Sequence, residues 1–435
     1  MKKLYIFLSL IISFYCIKGQ NVNIPDINFK TYLLSNSAIN INGDNEIQAS
    51  EAFNFNGKID CSGKNISTLT GIETFINLKE INCDFNNLYS LDLSKNTALT
   101  VLNCMANKLT SLDISSNKSL VKLSFNSNQI NDIDVSNNIN LIELNCYQNR
   151  LTSLDVSKNL ALSVLVCDAN QLTSLDLSNN LSLVQLECEG NYLTMLDVSK
   201  NLALTGFNCG YNQLTNLDVS KNVLLGSLSC YFNQLSTLDV SKNTDLRYFS
   251  CAGNQLTTLD VKNNLKLIRL GCSFNKLSSL DVSNNKYLDD IYCSSNQLTS
   301  LNLKNGSNYL IIYFGAVNNP NLTCIQVDNV DYANSYSPYK DWQKDAWATY
   351  NTNCSLSLAE SSNNEFTAYP NPVKDYLYFS EEITSIKITD LSGRIFNEFS
   401  SNQKSVDLSG LKKGLYLMVA ITRDGTKVTK KIIKE

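Results

Sequence analysis

The sequence predicts a solenoid of short parallel strands without convex α-helices. A small helical N-terminal cap precedes it and a C-terminal all-β sandwich follows. Three observations lead there. From Leu78 to Leu288 the pattern L-x-x-L-x-C-x-x-N-x-L-x-x-L-D-V-S-x-N-x-x returns every 21 residues, as in Leu162–Ser182 and Leu204–Leu224. A fixed period of that length marks stacked units, each contacting only its neighbours. In the copy beginning at Leu99, Leu102 and Cys104 stand two apart, which puts both on one face of a short strand. Beyond Phe366 the repeat stops and short alternating runs take over, the signature of half-buried strands.

The chain opens with Lys2-Lys3, an apolar run from Leu4 to Ile17, then Lys-Gly-Gln. Residues 1–19 read as a secretory leader cleaved near Gly19. A lipoprotein site at Cys16 is disfavoured, because Phe14 and Tyr15 stand where small residues are needed. No other stretch is long and apolar enough to span a bilayer.

Residues 20–57 read as a helical cap, with a capped helix over Asp26–Ser35. The segment after it resembles an EF-hand calcium loop. Asn40, Asn42 and Asp44 match its first, third and fifth positions, Ile47 its eighth and Glu51 its bidentate twelfth. Asn40 replaces the usual Asp, and Asn45 replaces the usual Gly. The resemblance implies a possible calcium site at Asn40, Asn42, Asp44, Glu46 and Glu51. The plainer alternative is a helix-loop-helix that shields the first repeat, and no cofactor is required by anything else in the chain.

Residues 58–318 form the solenoid. Leu99, Leu102, Cys104, Leu109, Leu112 and Ile114 are the apolar positions of one unit. The fixed Asn107, where the chain turns away, is suited to bond the backbone of its own turn and the next. A unit cannot bury its apolar face alone, so neighbours supply burial and strand pairing. Eleven cysteines, from Cys61 to Cys293, recur at one strand position, and Phe125 stands in for a twelfth. A ladder that tolerates Phe needs only an apolar group. Its parallel Cβ vectors disfavour disulfides, and stacked thiols do not converge on a metal. This pattern resembles leucine-rich repeats, specifically the internalin class with its cysteine ladder. The short repeat leaves extended or 3₁₀ segments, not α-helices, on the convex side.

Residues 319–356 read as a closing cap. They hold Trp342, Trp347 and Cys354, and with Cys324 this last cysteine makes a pair outside the ladder. In an exported chain two leftover cysteines argue for a disulfide. Residues 357–364 read as a polar linker. Residues 365–435 read as the β-sandwich, with Tyr369-Pro-Asn-Pro372, Asp390-Leu-Ser-Gly-Arg394, Leu411-Lys-Lys-Gly-Leu-Tyr416 and a basic end, Lys430-Lys-Ile-Ile-Lys434. These motifs resemble the type A sorting domain of the type IX secretion system of Bacteroidetes. The resemblance implies passage across the outer membrane through that machinery, and then attachment to the cell surface or release.

The chain contains no histidine, which removes Ser-His-Asp and Cys-His nucleophile pairs and histidine metal sites. Net charge is −4 with no basic clustering on the repeats, so nucleic acid is not an expected partner. The variable positions cluster around the strand, on the expected concave side. Middle copies carry Glu143, Asp168, Glu187 and Glu189; later copies carry Tyr211, Tyr231, Phe232, Tyr248, Phe274 and Tyr292 with Arg247 and Arg269. Aromatics and Arg make strong interface anchors, so these eight later residues are the candidate contact for a protein or glycan. The expected role is adhesion, without enzymatic activity. A structural surface component is one alternative. A glycan hydrolase is another, with Glu187 and Glu189 its only candidate carboxylate pair. The column Asp92, Asp113, Asp134, Asp155, Asp176, Asp197, Asp218, Asp239, Asp260 and Asp281 reads as turn capping rather than cation binding.

Overall fold

A computed structural model describes residues 19–335, 340–354, 366–390, 394–399, 402–423, 425 and 427–435. The leader up to residue 18 and the linker call, 357–364, lie outside these residues. Among them no helix is long and apolar enough to cross a membrane. The chain divides into two compact units, residues 1–353 and 354–435.

In the first unit fourteen parallel strands form one sheet, from Lys58–Asp60 to Asp341–Lys344. Each strand pairs with the equivalent residues of the next turn, as Leu144 with Leu165 and Leu165 with Leu186. The strands count three residues each, four in the last two, yet ladder bonding runs on: Cys104 N donates to Ser124 O and Ala106 N to Asn126 O, both at 2.9 Å. The apolar positions of every turn point into one continuous core, with Leu99, Leu102, Cys104 and Leu109 wholly buried. Opposite the sheet the chain makes turns, not α-helices. Asn117 N donates to Ile114 O and Leu120 N to Asn117 O. Only in the last turns does this side pair into a four-stranded sheet, Ser279–Asp281, Ser300–Asn302, Cys324–Gln326 and Thr349–Asn351.

Two asparagine ladders bind the turns together. In the first, Asn107 Nδ2 donates to Cys104 O and Met105 O of its own turn and to Cys83 O of the turn before, while its Oδ1 accepts Leu88 N at 3.0 Å. The bonds thus reach back to the preceding turn, not forward as the sequence suggested. The strand's forward N–H groups are already engaged by the next turn, and the amide faces the backbone behind it. The second ladder, Asn96 to Asn285, is wholly buried. Asn117 Nδ2 donates to Leu93 O and Asn96 O of the preceding turn. The Oδ1 atoms of this ladder accept no hydrogen bond.

The eleven ladder cysteines are free and buried. Burial pushes the thiols of Cys61, Cys146, Cys230 and Cys272 up to about 12, so at neutral pH they carry no thiolate and react poorly. Cys324 and Cys354 are both disulfide-bonded. The expected result of a thiol titration on the mature chain is no reactive thiol in the native state and eleven in denaturant. Two more follow after reduction. Labelling of native protein would mean that the ladder opens below the unfolding transition.

The ends are closed by different means. At the N-terminus, Asp26 caps the helix Ile27–Ser35 by accepting Asn28 N and Phe29 N, and its other oxygen accepts Ser67 N and Oγ. Burial works against its charge, yet these bonds, Ser67 N–H foremost, hold the carboxyl below its usual range. A second helix, Ala49–Asn54, follows. At the C-terminal end the parallel stack continues past residue 318 into the segment read as a separate cap. Phe314 pairs with Trp342, whose indole N–H donates to Ile311 O. Phe314, Tyr332 and Tyr350 pack edge-on around the Trp342 ring, so the last apolar face is covered by aromatic rings.

The second unit is an antiparallel β-domain whose six strands share one hydrogen-bonded sheet. The 14-residue strand Tyr376–Thr389 pairs with four others along its bulged length. It joins two runs that the sequence suggested as separate strands. Its core includes Val373, Leu377, Ile388, Leu408, Met418 and Ile432. Asn371 of the Tyr369–Pro372 motif donates to Lys431 O and accepts Ile433 N, which pins that motif to the basic last strand.

Candidate functional site

The site is built from four positions of each turn: the two strand residues flanking the buried one, the residue after cysteine, and the residue after that. The last of these has a left-handed backbone in turn after turn. It is Phe85, Ala106, Ser127, Gln148, Ala169, Tyr211, Phe232, Phe274 and Ser295, with φ between 48° and 56°, and Gly190 and Gly253 in other copies. Glycine adopts this conformation freely, whereas a bulky residue there is strained by about 1–2 kcal/mol. Nothing in the fold requires an aromatic side chain at a position that glycine fills in neighbouring turns.

Three of the eight predicted contact residues come together. Tyr211 stacks on Phe232 with centroids 4.6 Å apart and planes 14° from parallel, and Tyr231 meets both edge-on. Tyr211 and Phe232 are 51% and 43% exposed. Glycines make the arrangement possible. A Cβ at Gly210 would stand 2.9 Å from the Tyr231 ring, and one at Gly253 only 2.5 Å from the Phe232 ring. The other five spread along the sheet. Tyr248 and Arg269 are register partners, and Arg269 is drawn to Asp290 at 2.9 Å. Phe274 occupies the left-handed column without a ring partner among the described residues. Tyr292 lies between Gly271 and Gly315, and Arg247 is exposed before the strand of Tyr248.

The acidic residues of the middle turns adjoin this aromatic group. Glu189 N donates to Asp168 Oδ1 at 2.6 Å, and Asn208 Nδ2 donates to Glu189 Oε2 at 2.7 Å. Gln185 Nε2 donates to Glu187. Burial, with the charges of Glu187 and Glu189 adding to it, raises the Asp168 carboxyl to about 7. Burial likewise raises Glu187. Burial and a hydrogen bond to Glu189 push the Tyr231 hydroxyl up, so Tyr231 reaches back two turns across Gly210. Sequence reading saw these acids and rings but not their connection, which depends on Gly210 lacking a side chain.

A stability test follows. A carboxyl whose pKa is raised by folding binds its proton more tightly in the folded chain, so stability falls as pH climbs from about 4 to about 7. Asp168→Asn keeps the acceptor for Glu189 N–H and removes the titration. The variant's melting temperature relative to the parent should therefore be higher at pH 8 than at pH 5. An equal difference at both values would show that Asp168 is not held neutral.

The other candidate sites resolve differently. At the EF-hand-like loop, Glu51 is buried and accepts Ile41 N, Asn42 N and Gln48 N. Asn40 Oδ1 accepts Gly43 N, Asn42 Oδ1 accepts Asp44 N, and Asp44 Oδ1 accepts Glu46 N. Glu46 is paired with Lys30 at 2.7 Å. Each oxygen that would ligate calcium is turned toward the loop's own N–H groups or a lysine. Among the described residues no three or more His, Cys, Asp or Glu side chains are placed to hold a metal. In this arrangement the loop's oxygens are engaged in bonds within the cap. In the Asp column each carboxylate accepts the N–H two residues on, as Ser157 N to Asp155 Oδ1 at 2.8 Å. That bond and the Ser157 hydroxyl lower the Asp155 carboxyl, so the column caps turns. A feature not read from the sequence is a ridge of exposed aliphatics, Ile139, Leu160, Leu181, Leu202 and Val223, one per turn over five successive turns. Its signal was present: each follows the second-ladder Asn.

Comparison with known proteins agrees with these features. Residues 367–435 match the secretion system C-terminal sorting domain family. No curated protein matches the chain. Among solved structures, the functional domain of InlJ from Listeria monocytogenes, which includes a cysteine ladder, is 25% identical with a TM-score of 0.56, covering 96% of this chain and 98% of that one. An internalin, InlF, from Listeria monocytogenes str. 4b F2365 is 20% identical with a TM-score of 0.62, covering 76% and 98%. A leucine-rich repeat protein from Bacteroides eggerthii DSM 20697 is 18% identical with a TM-score of 0.52, covering 68% and 57%. The sorting domain directs secretion across the outer membrane, to the cell surface or the extracellular space. The chain thus has a leucine-rich-repeat solenoid fold with a cysteine ladder, similar to that of the internalins, and carries a secretion system sorting domain at its C-terminus.

Proposed function

We propose that the mature protein is a non-enzymatic binding protein. It acts in adhesion by docking a protein or glycan on the solvent-facing side of its long sheet. The observation that carries this reading is the aromatic group Tyr211, Tyr231 and Phe232, two of whose members stand in a strained backbone conformation that glycine adopts without cost. Strain retained where the fold does not need it points to function. Exposed aromatic clusters are the usual anchors of interfaces. The likeness to internalins supports a surface role, and no insertion interrupts the period to enclose Glu187 and Glu189 as a hydrolase would need.

The test is a protein and glycan array with the mature chain, run with calcium and with chelator. Tyr231→Ala, Phe232→Ala and Tyr248→Ala combined should abolish binding of an identified ligand while the melting temperature stays within a few degrees. Unchanged affinity would remove the ligand from this face. Loss of binding with chelator alone would return the N-terminal loop to consideration.

The aliphatic ridge favours a second reading, a structural surface component that self-associates. Contiguous exposed apolar patches mark contacts, and Leu160 and Leu181 are 60% and 58% exposed. Sedimentation separates the readings. A monomer at micromolar concentration removes the second, and oligomers lost on Leu160→Lys plus Leu181→Lys support it.

A further inference from the structure

The acidic and aromatic residues of the middle turns form one shallow cradle. Its floor is the turn carrying Gly206 and Gly210. Gln185 lies over Gly206 and Tyr231 over Gly210, since a Cβ at either glycine would collide with those side chains. One wall is Glu187 and Glu189, oriented by N–H donors of Gln185 and Asn208, with Asp168 bonded to Glu189 N behind them. The other wall is the Tyr211–Phe232 stack.

Several charges elsewhere on the sheet face are answered within the chain, although Glu80 and Asp84 of the first turns are in none of the ion pairs among the described residues. Asp60 is paired with Lys58, Glu143 with Lys122 and Asp290 with Arg269. Even Tyr89, an exposed ring, has the Lys108 ammonium over it. Asp168, Glu187 and Glu189 are in none of the ion pairs among the described residues. They are partly buried, and burial together with the Glu189 charge raises the proton affinity of Asp168 and Glu187, which is the state that an incoming cation relieves. No described set of such residues is placed for a metal ion. An organic cation on a flexible stem meets the carboxylates and also gains from aromatic faces.

We propose that this cradle takes a lysine or arginine side chain presented by a basic segment of a protein partner. The proposal rests on the sheet-face binding reading above and narrows it from any macromolecule to a cationic polypeptide. A neutral sugar would stack on the rings but leave the carboxylates of Glu187 and Glu189 without a counter-charge. Arg247, on a later turn and in none of the ion pairs among the described residues, repels the incoming charge on that side.

The test uses the mature chain with labelled hexalysine, fully acetylated hexalysine and neutral maltohexaose as probes. Hexalysine should bind, and the two uncharged probes should not. Glu187→Gln with Glu189→Gln should weaken hexalysine by about tenfold, the scale of a close charge pair in an interface. Tyr211→Ala with Phe232→Ala should weaken it about threefold or more, as loss of a cation–π contact would. Asp134→Asn with Asp155→Asn removes equal charge from the exposed turn column and should change affinity less than about twofold. Equal weakening by both acid pairs would reduce the effect to net charge and overturn the cradle. Binding of maltohexaose without hexalysine would overturn the cationic assignment while leaving the sheet face a binding surface. No ligand on that face in any assay would remove both.

Discussion

Asn170→Ala should cost the repeat domain about 4 kcal/mol, a larger loss than any single leucine truncation on the exposed side of the turns. Asn170 is buried, and its Nδ2 donates to Cys146 O, Cys167 O and Asp168 O while its Oδ1 accepts Leu151 N. Truncation strands Leu151 N–H, at roughly 1–3 kcal/mol, and takes one of two donors from Cys146 O, Cys167 O and Asp168 O, which keep Asn149, Asn191 and Gln148 N, at about 0.5–1.5 kcal/mol for each bond lost. The same position in every turn ties two turns together, so the loss falls on an interface between neighbours, the quantity that sets solenoid stability. Two controls give the argument a ranking. Asn180 of the second ladder donates to two carbonyls, Val156 O and Asn159 O, and its own oxygen accepts nothing. Asn180→Ala should therefore cost less. Asp176 is exposed and bonds only the local turn at Ser178, so Asp176→Ala should cost under about 1 kcal/mol. Urea midpoints in the order Asp176, Asn180, Asn170 from highest to lowest are the expected result. A reversed order would mean that the first ladder is not what couples the turns.

That ranking separates what the sequence carries from what only the packing shows. Strand, cysteine and first asparagine positions recur identically, so one local pattern dictates them and the fold follows from the repeat. The direction of the Asn107 bonds does not recur as a pattern in the letters. It depends on which neighbour already holds the strand N–H groups. The left-handed column is a middle case. Gly63, Gly190 and Gly253 occupy it in some turns, a hint that the backbone there favours glycine, yet the Tyr, Phe and Ala of other turns hide the hint. The cradle was out of reach of sequence reading because its logic lies in side chains that are absent. Gly206 and Gly210 look like lost strand residues until Gln185 and Tyr231 are seen lying over them. The bonding of the N-terminal loop was equally out of reach of spacing alone. Spacing places Asn40, Asn42, Asp44 and Glu51 as a ligand set, while the loop turns those oxygens onto its own amides.

The second large effect concerns export. Ile388→Asp should leave the chain behind the outer membrane while the repeats fold as before. Ile388 is wholly buried near the end of the 14-residue strand, paired with Met418 on one side and Asn397 on the other. An unpaired carboxylate there costs several kcal/mol. A β-domain of this size holds only about 3–5 kcal/mol in total, so the substitution exceeds what the domain can absorb. The loss should stay local, because the C-terminal core is a cluster of its own, separate from the repeat core. Ile421→Asp, on the same sheet but 37% exposed, is the matched control and should be exported normally. Protease shaving of intact cells reads the outcome: Ile421→Asp cleaved like the parent, Ile388→Asp protected. If Ile388→Asp also reached the surface, the machinery would be reading a linear segment, with Tyr369–Pro372 and the basic end sufficient without the folded sheet. The contacts between those two motifs argue against that. Asn371 is held by the backbone of Lys431 and Ile433, so the folded sheet is what brings the motif and the basic strand into one surface.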